Sequence, residues 1–179
     1  GNPTQVVRIK DKLIFAMFFE SRGLQVVPLL AAFRGGQRVA GIGQAALPTN
    51  CDLFTKPMEG RGGLGADLWC VKSPGRYRSS RGDEASLEQI LERLAECSKR
   101  RGYLLQPRLS NHPAISDLSP GALATARLLT VLNEKMEPEL VYAAFRMPIS
   151  QASPVDNFHA NGIAAAVAIR TGVLGRASG

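Results

Sequence analysis

Lys56 closes a strand-like run, LFTKP (53–57), and glycines follow at positions 60, 62, 63 and 65. Glycines let backbone N–H groups approach a polyphosphate without interference from a Cβ, and a lysine on a strand can reach the same oxygens as a point charge. This is not a P-loop, which needs G-K-[ST] at a helix start. Nor is it a Rossmann loop, because the segment opens into a second strand-like run, ADLWCVKS (66–73). The same residues also describe a flexible hairpin tip carrying an exposed lysine.

Other segments offer weaker chemistry. YLLQP (103–107) ends in Gln106 and Pro107, so its main chain could face a planar base, or the strand could simply turn at the proline. ATARLLTV (124–131) places Thr125, Arg127 and Leu129 on one face if it is a strand. A covered Arg127 needs an anionic partner, whereas an exposed one does not. Asp156, Asn157 and His159 cluster before Gly162, but one carboxylate and one histidine are too few for a magnesium site. His112 and His159 read as structural. No Ser/His/Asp order or Cys/His pair stands out, so nothing supports a protein nucleophile. Cys51, Cys70 and Cys97 lack a C-x-x-C spacing and suggest neither a disulfide framework nor a zinc site. They read as core or partly buried thiols, which fits a reducing cytoplasmic compartment.

The elements that must position these residues follow from periodicity. DKLIFAMFFESRG (11–23) predicts a broadly apolar helix stopped by Gly23. VVPLLAAF (26–33) predicts a short strand, and RGGQRVAGIG (34–43) has no clear pattern. Runs 52–57 and 66–73 predict a hairpin with a long glycine-rich tip. Leu87, Ile90, Leu91 and Leu94 recur at helical spacing in 86–100. There Ser86 and Gln89 form a capping-box pattern, with Lys99, Arg100 and Arg101 in the last turn and Gly102 as the stop. A strand over 103–107 is followed by a polar loop (111–120), strands over 124–132 and 139–147, a loop over 151–162, and a hairpin that starts at 163–169. Helices mixed with antiparallel hairpins make the class α+β.

The chain has 179 residues and a formal net charge of +7. Residues 1–81 carry 12 basic and 5 acidic side chains, while 82–179 carry 10 of each, so the whole surplus lies in the first half. A basic surface suits phosphate, nucleic acid or an anionic membrane. The 16 arginines are scattered and only 6% of residues are aromatic, which leaves few platforms for stacking bases. No apolar run approaches the ~20 residues of a membrane span. The first residue is not Met, and RTGVLGRASG (170–179) reads as a strand, a turn and a return strand left without a partner. The expectation is a piece of a longer polypeptide.

In order, DKL (11–13), LFTKP with GRGGLG (53–65), YLLQPRLSNHP (103–113), LSPGALATARLLTV (118–131), VDNFHANGIAAAV (155–167) and TGVLG (171–175) resemble the ATP-grasp superfamily. The resemblance is greatest to the sugar-transfer-associated ATP-grasp proteins, with alpha-L-glutamate ligases more distant. It implies an ATP-grasp fold of two α+β subdomains with antiparallel sheets and the nucleotide between them, incomplete at the C-terminus. Residues 1–50 would be a helix and lead-in, 51–105 the first subdomain and 106–179 the start of the second. It implies ATP as the ligand and Mg²⁺ as the cofactor. Lys56 and Lys12 would contact phosphates, and Gly60, Gly62, Gly63 and Gly65 would close over them. Gln106, Arg108 and Leu109 would line the adenine hinge, Asp117 would approach the ribose, Arg127 would stabilise phosphoryl charge, and Asn157 would sit near the phosphates.

The implied chemistry is an ATP-dependent carboxylate–amine ligation through an acyl phosphate, in surface polysaccharide or glycoconjugate biosynthesis, with carboxylate and amine or sugar-linked partners that the sequence does not name. HANG (159–162) departs from the H-A-G-G of relatives, so Asn161 replaces a glycine. The family's acidic metal ligands come from later segments, so the expectation is that no metal ligand lies in this chain and that these 179 residues alone are inactive. The alternatives are a non-catalytic nucleotide-binding relic and a basic nucleic-acid-binding module.

Overall fold

A computed structural model describes residues 10–43, 46–60, 62–119, 123–148 and 162–179. The structure is α+β, with two antiparallel sheets and two α-helices among the described residues. The chain folds as two compact units, Gly1–Arg108 and Leu109–Gly179.

The first unit holds helix α1 (Lys12–Glu20), strands β1 (Ala31–Arg34), β2 (Gln37–Gly41), β3 (Leu53–Pro57), β4 (Asp67–Ser73), β5 (Arg76–Ser79) and β6 (Glu84–Ser86), helix α2 (Leu87–Ser98) and strand β7 (Tyr103–Pro107). The strands form one sheet in the order β2-β1-β7-β3-β4-β5-β6. Adjacent residues point to opposite faces of a strand, and the core divides accordingly. Ala31, Leu53, Trp69 and Leu105 pack with Leu87, Ile90, Leu91 and Leu94 of α2. Ala32 and Leu104, their chain neighbours, pack instead with Leu13 of α1 and with Met58. The two helices therefore cover opposite faces of the sheet. The capping box expected at Ser86 forms, with Gln89 N–H donating to the Ser86 hydroxyl and Ser86 N–H to the Gln89 side chain.

Several local expectations are corrected. The strand expected over 26–33 begins only at Ala31, because Pro28 lacks a donor and restricts Val27 before it. The unpatterned stretch 34–43 contains β2, joined to β1 by Gly35 and Gly36, both at positive φ as a tight hairpin requires. Strands β5 and β6 have no counterpart in the sequence pattern. Helix α2 ends at Ser98, so Lys99 caps it and Arg100, Arg101 and Gly102 lie beyond its last turn. Gly102 is needed for space instead, since a Cβ there would collide with the Met58 sulfur. Cys51 and Cys70 are partly buried, but Cys97 is exposed.

The second unit holds strands β8 (Thr125–Leu132), β9 (Pro138–Pro148), β10 (Gly162–Val167) and β11 (Leu174–Ser178), in the order β11-β10-β9-β8. The return strand β11 is not partnerless, because it pairs with β10 through Ala164↔Ser178, Ala165↔Ala177 and Val167↔Leu174. A 3₁₀ turn (Pro113–Ile115) lies in the expected polar loop, and His112 caps it by accepting from Ala114 N–H. The Asn111 amide then ties the segment together, donating to Ser119 O and accepting from Ala124 N–H.

Candidate functional site

Lys12 belongs to the first turn of α1, and the helix start is firmly fixed. Asp11 is buried and caps the helix, its Oδ1 accepting from Leu13 N–H at 2.9 Å and Ile14 N–H at 3.2 Å. Its Oδ2 pairs with Arg34 at 2.5 Å. Lys12 N–H donates to Met58 O at 3.0 Å, and Met58 N–H donates to Gly102 O at 2.8 Å. The start of α1, the end of β3 and the lead into β7 are thus joined at one point. From there the Lys12 ammonium reaches the carbonyls of Met58 at 3.2 Å and Gly60 at 3.0 Å.

Lys56 approaches the same point from β3. It is half-buried, paired with Leu104 of β7, on the face that α1 covers. Burial pushes its pKa down, and the nearby charge of Lys12 pushes it further down. The Lys12 pKa is lowered by burial, against the pull of Asp11 and Glu59. Lys56 has no carboxylate partner among the described residues, and the charge of Lys12 lies close to it. Such a site gains most from an anion that supplies several oxygens at once.

The glycine loop starts where the lysines end. Gly60, Gly62, Gly63 and Gly65 all have positive φ, which side-chain-bearing residues adopt only at a cost. Gly60 and Gly62 face open space, whereas a Cβ on Gly65 would strike the Arg101 guanidinium and crowd Tyr103.

The other expected residues are placed as follows. Gln106 is buried in register with Phe54, on the same face as Lys56, and its side-chain amide donates to Val27 O at 3.1 Å. The Arg108 side chain is engaged by Asp52 at 3.0 Å, and Arg108 N–H donates to Asp52 O. Leu109, Asp117 and Arg127 belong to the second unit and are exposed, so Arg127 has no need of a buried anion. Asn157, Asp156, His159 and Asn161 lie outside the described residues. Among the described residues no three His, Cys, Asp or Glu side chains gather to hold a metal ion. Sequence reasoning missed the parts played by Asp11 and Asp52. An aspartate directly before an apolar helical run was a readable cap signal for the first; nothing local marked the second.

The family model described as sugar-transfer associated ATP-grasp matches residues 2–178. The chain belongs to the sugar-transfer associated ATP-grasp family. No curated protein and no solved structure gives a significant match. Membership in this ATP-grasp family implies ATP as the ligand, and two antiparallel sheets with few helices agree with its fold. No helix among the described residues is long and apolar enough to cross a membrane.

Proposed function

We propose that Lys12, Lys56 and the glycine loop grip the triphosphate of ATP in a carboxylate–amine ligase. A substrate carboxylate oxygen attacks the γ-phosphorus, the bond from that phosphorus to the β–γ bridging oxygen breaks, and ADP leaves. An amine then attacks the acyl carbon of the acyl phosphate, loses a proton and expels inorganic phosphate. Catalysis of this kind rests on positioning and charge neutralisation rather than on a protein nucleophile. Gln106 would hold the base side of the nucleotide, in part through the β7 main chain, and Arg127 would meet phosphoryl charge. Association with sugar transfer suggests a glycoconjugate precursor as substrate.

One observation carries this reading. Lys56 is half-buried and lacks an acidic partner among the described residues, lies near a second lysine, and stands just before Gly60, Gly62, Gly63 and Gly65, all at positive φ. Calorimetric titration of ATP into the protein and into Lys56→Ala tests it. The variant should bind at least about tenfold more weakly, a loss of roughly 1.4 kcal/mol. Equal affinity would remove Lys56 from the site.

A further inference from the structure

The opposite face of the same sheet carries a second concentration of positive charge. Alternation turns Thr55, Trp69 and Tyr103 toward α2, away from Lys56. A cleft opens there between the sheet and α2, bordered by Arg81, Arg93 and Arg101. The Arg93 guanidinium lies 5.7 Å from the centre of the Trp69 ring and that of Arg101 lies 5.5 Å from the Tyr103 ring. Arg101 also donates to the Tyr103 hydroxyl at 3.1 Å. Both guanidinium groups lie within cation–π reach of a ring and keep further N–H donors for a ligand.

The three arginines of the cleft outnumber its two acids, Asp67 and Asp83, and leave a formal surplus of positive charge. Asp67 Oδ1 is occupied by Leu68 N–H and by the hydroxyl and N–H of Ser80. The Asp83 carboxylate lies 3.9 Å from the Arg93 guanidinium. Arg81 and Arg101 have no carboxylate partner among the described residues. Forked donors of this kind match the oxygens of a phosphate.

We infer that this cleft is a second anion site, on the α2 face of the sheet, for a phosphate-bearing small molecule. It is separate from the Lys12–Lys56 point and does not depend on the function proposed for that point. Gly65, the last glycine of the loop, touches the cleft through Arg101 and Tyr103, so an occupant would rest against the loop's end.

The chain has a single tryptophan, and it forms part of this cleft. Titration of inorganic pyrophosphate into the protein should therefore produce a saturable change in Trp69 fluorescence. Arg101→Gln and Arg81→Gln should each weaken that binding by about tenfold, while Lys56→Ala should leave it within about twofold. Circular dichroism checks that each variant is folded. If Arg101→Gln fails to fold, Arg81→Gln decides, because Arg81 is exposed. No saturable change, a change that survives the arginine substitutions, or one abolished by Lys56→Ala would overturn the inference.

Discussion

The ammonium group of Lys12 donates to the carbonyl of Gly60 across 3.0 Å, so the first turn of α1 holds the base of the glycine loop. A helix residue 48 positions earlier in the chain thereby fixes where the loop begins.

Lys12→Ala should release that base. The two side-chain hydrogen bonds it removes are partly exposed, so the expected stability loss is only about 1 kcal/mol. Amide exchange at Gly60 and Gly62 should nevertheless quicken clearly, while the amides of α2 keep their protection. Hydrogen exchange resolved by residue checks both.

Lys56→Met should stabilise the fold while weakening ATP binding. A charged ammonium that is part-buried near Lys12 opposes folding, and its lowered pKa is the signature of that cost. The unfolded chain holds this proton more tightly than the folded chain does. The penalty is therefore complete below the folded-state pKa and fades as pH rises through it toward the ordinary lysine range. The variant should melt about 2–5 °C higher near neutral pH, and the gap should narrow as the solution is made more alkaline. Thermal melts of both proteins across the alkaline range provide the check.

Asp11→Ala should be among the more damaging single changes in the first unit. It removes the cap of α1 and leaves Arg34 without its partner. Loss of a helix cap costs about 1 kcal/mol, and hydrogen bonds to charged groups contribute about 1.5–3 kcal/mol. The two overlap in one side chain, so about 2–3 kcal/mol is expected in urea unfolding. Asp11→Asn should recover part of the cap and little of the ion pair.

Gly62→Ala and Gly65→Ala should separate backbone strain from crowding. Both positions have positive φ, near +75° and +80°. For an alanine this conformation costs about 1–2 kcal/mol. A methyl group at Gly62 meets open space, while one at Gly65 must displace Arg101 and crowd the Tyr103 hydroxyl. Gly65→Ala should thus be the more destabilising of the pair by denaturant titration.

The sequence exposed features that rest on local pattern. Leu87, Ile90, Leu91 and Leu94 marked α2, Ser86 and Gln89 marked its start, and the glycines after Lys56 marked a loop with positive φ at Gly60, Gly62, Gly63 and Gly65. Features set by pairing partners far away in the chain were not legible. Strands β5 (RYRS) and β6 (EAS) are too short and polar to show a period, and they extend only because β4 supplies the ladder. The reach of Lys12 to Gly60 and the approach of Arg93 to the Trp69 ring join elements that no local window contains together. Asp52 gave no sign of holding Arg108 for the same reason.

Strand β3, which carries Lys56, is fourth of seven in its sheet; Leu53, Phe54 and Thr55 are paired with both β4 and β7, and Lys56 with β7. The amides of that doubly paired segment open only when the middle of the sheet comes apart, which places it among the last parts of the unit to unfold. Lys56, proposed to contact phosphate, extends directly from that segment. On heating, loss of nucleotide binding through Lys56 and loss of the fold should follow one curve, and mild denaturant should leave no population that is folded but blind to ATP.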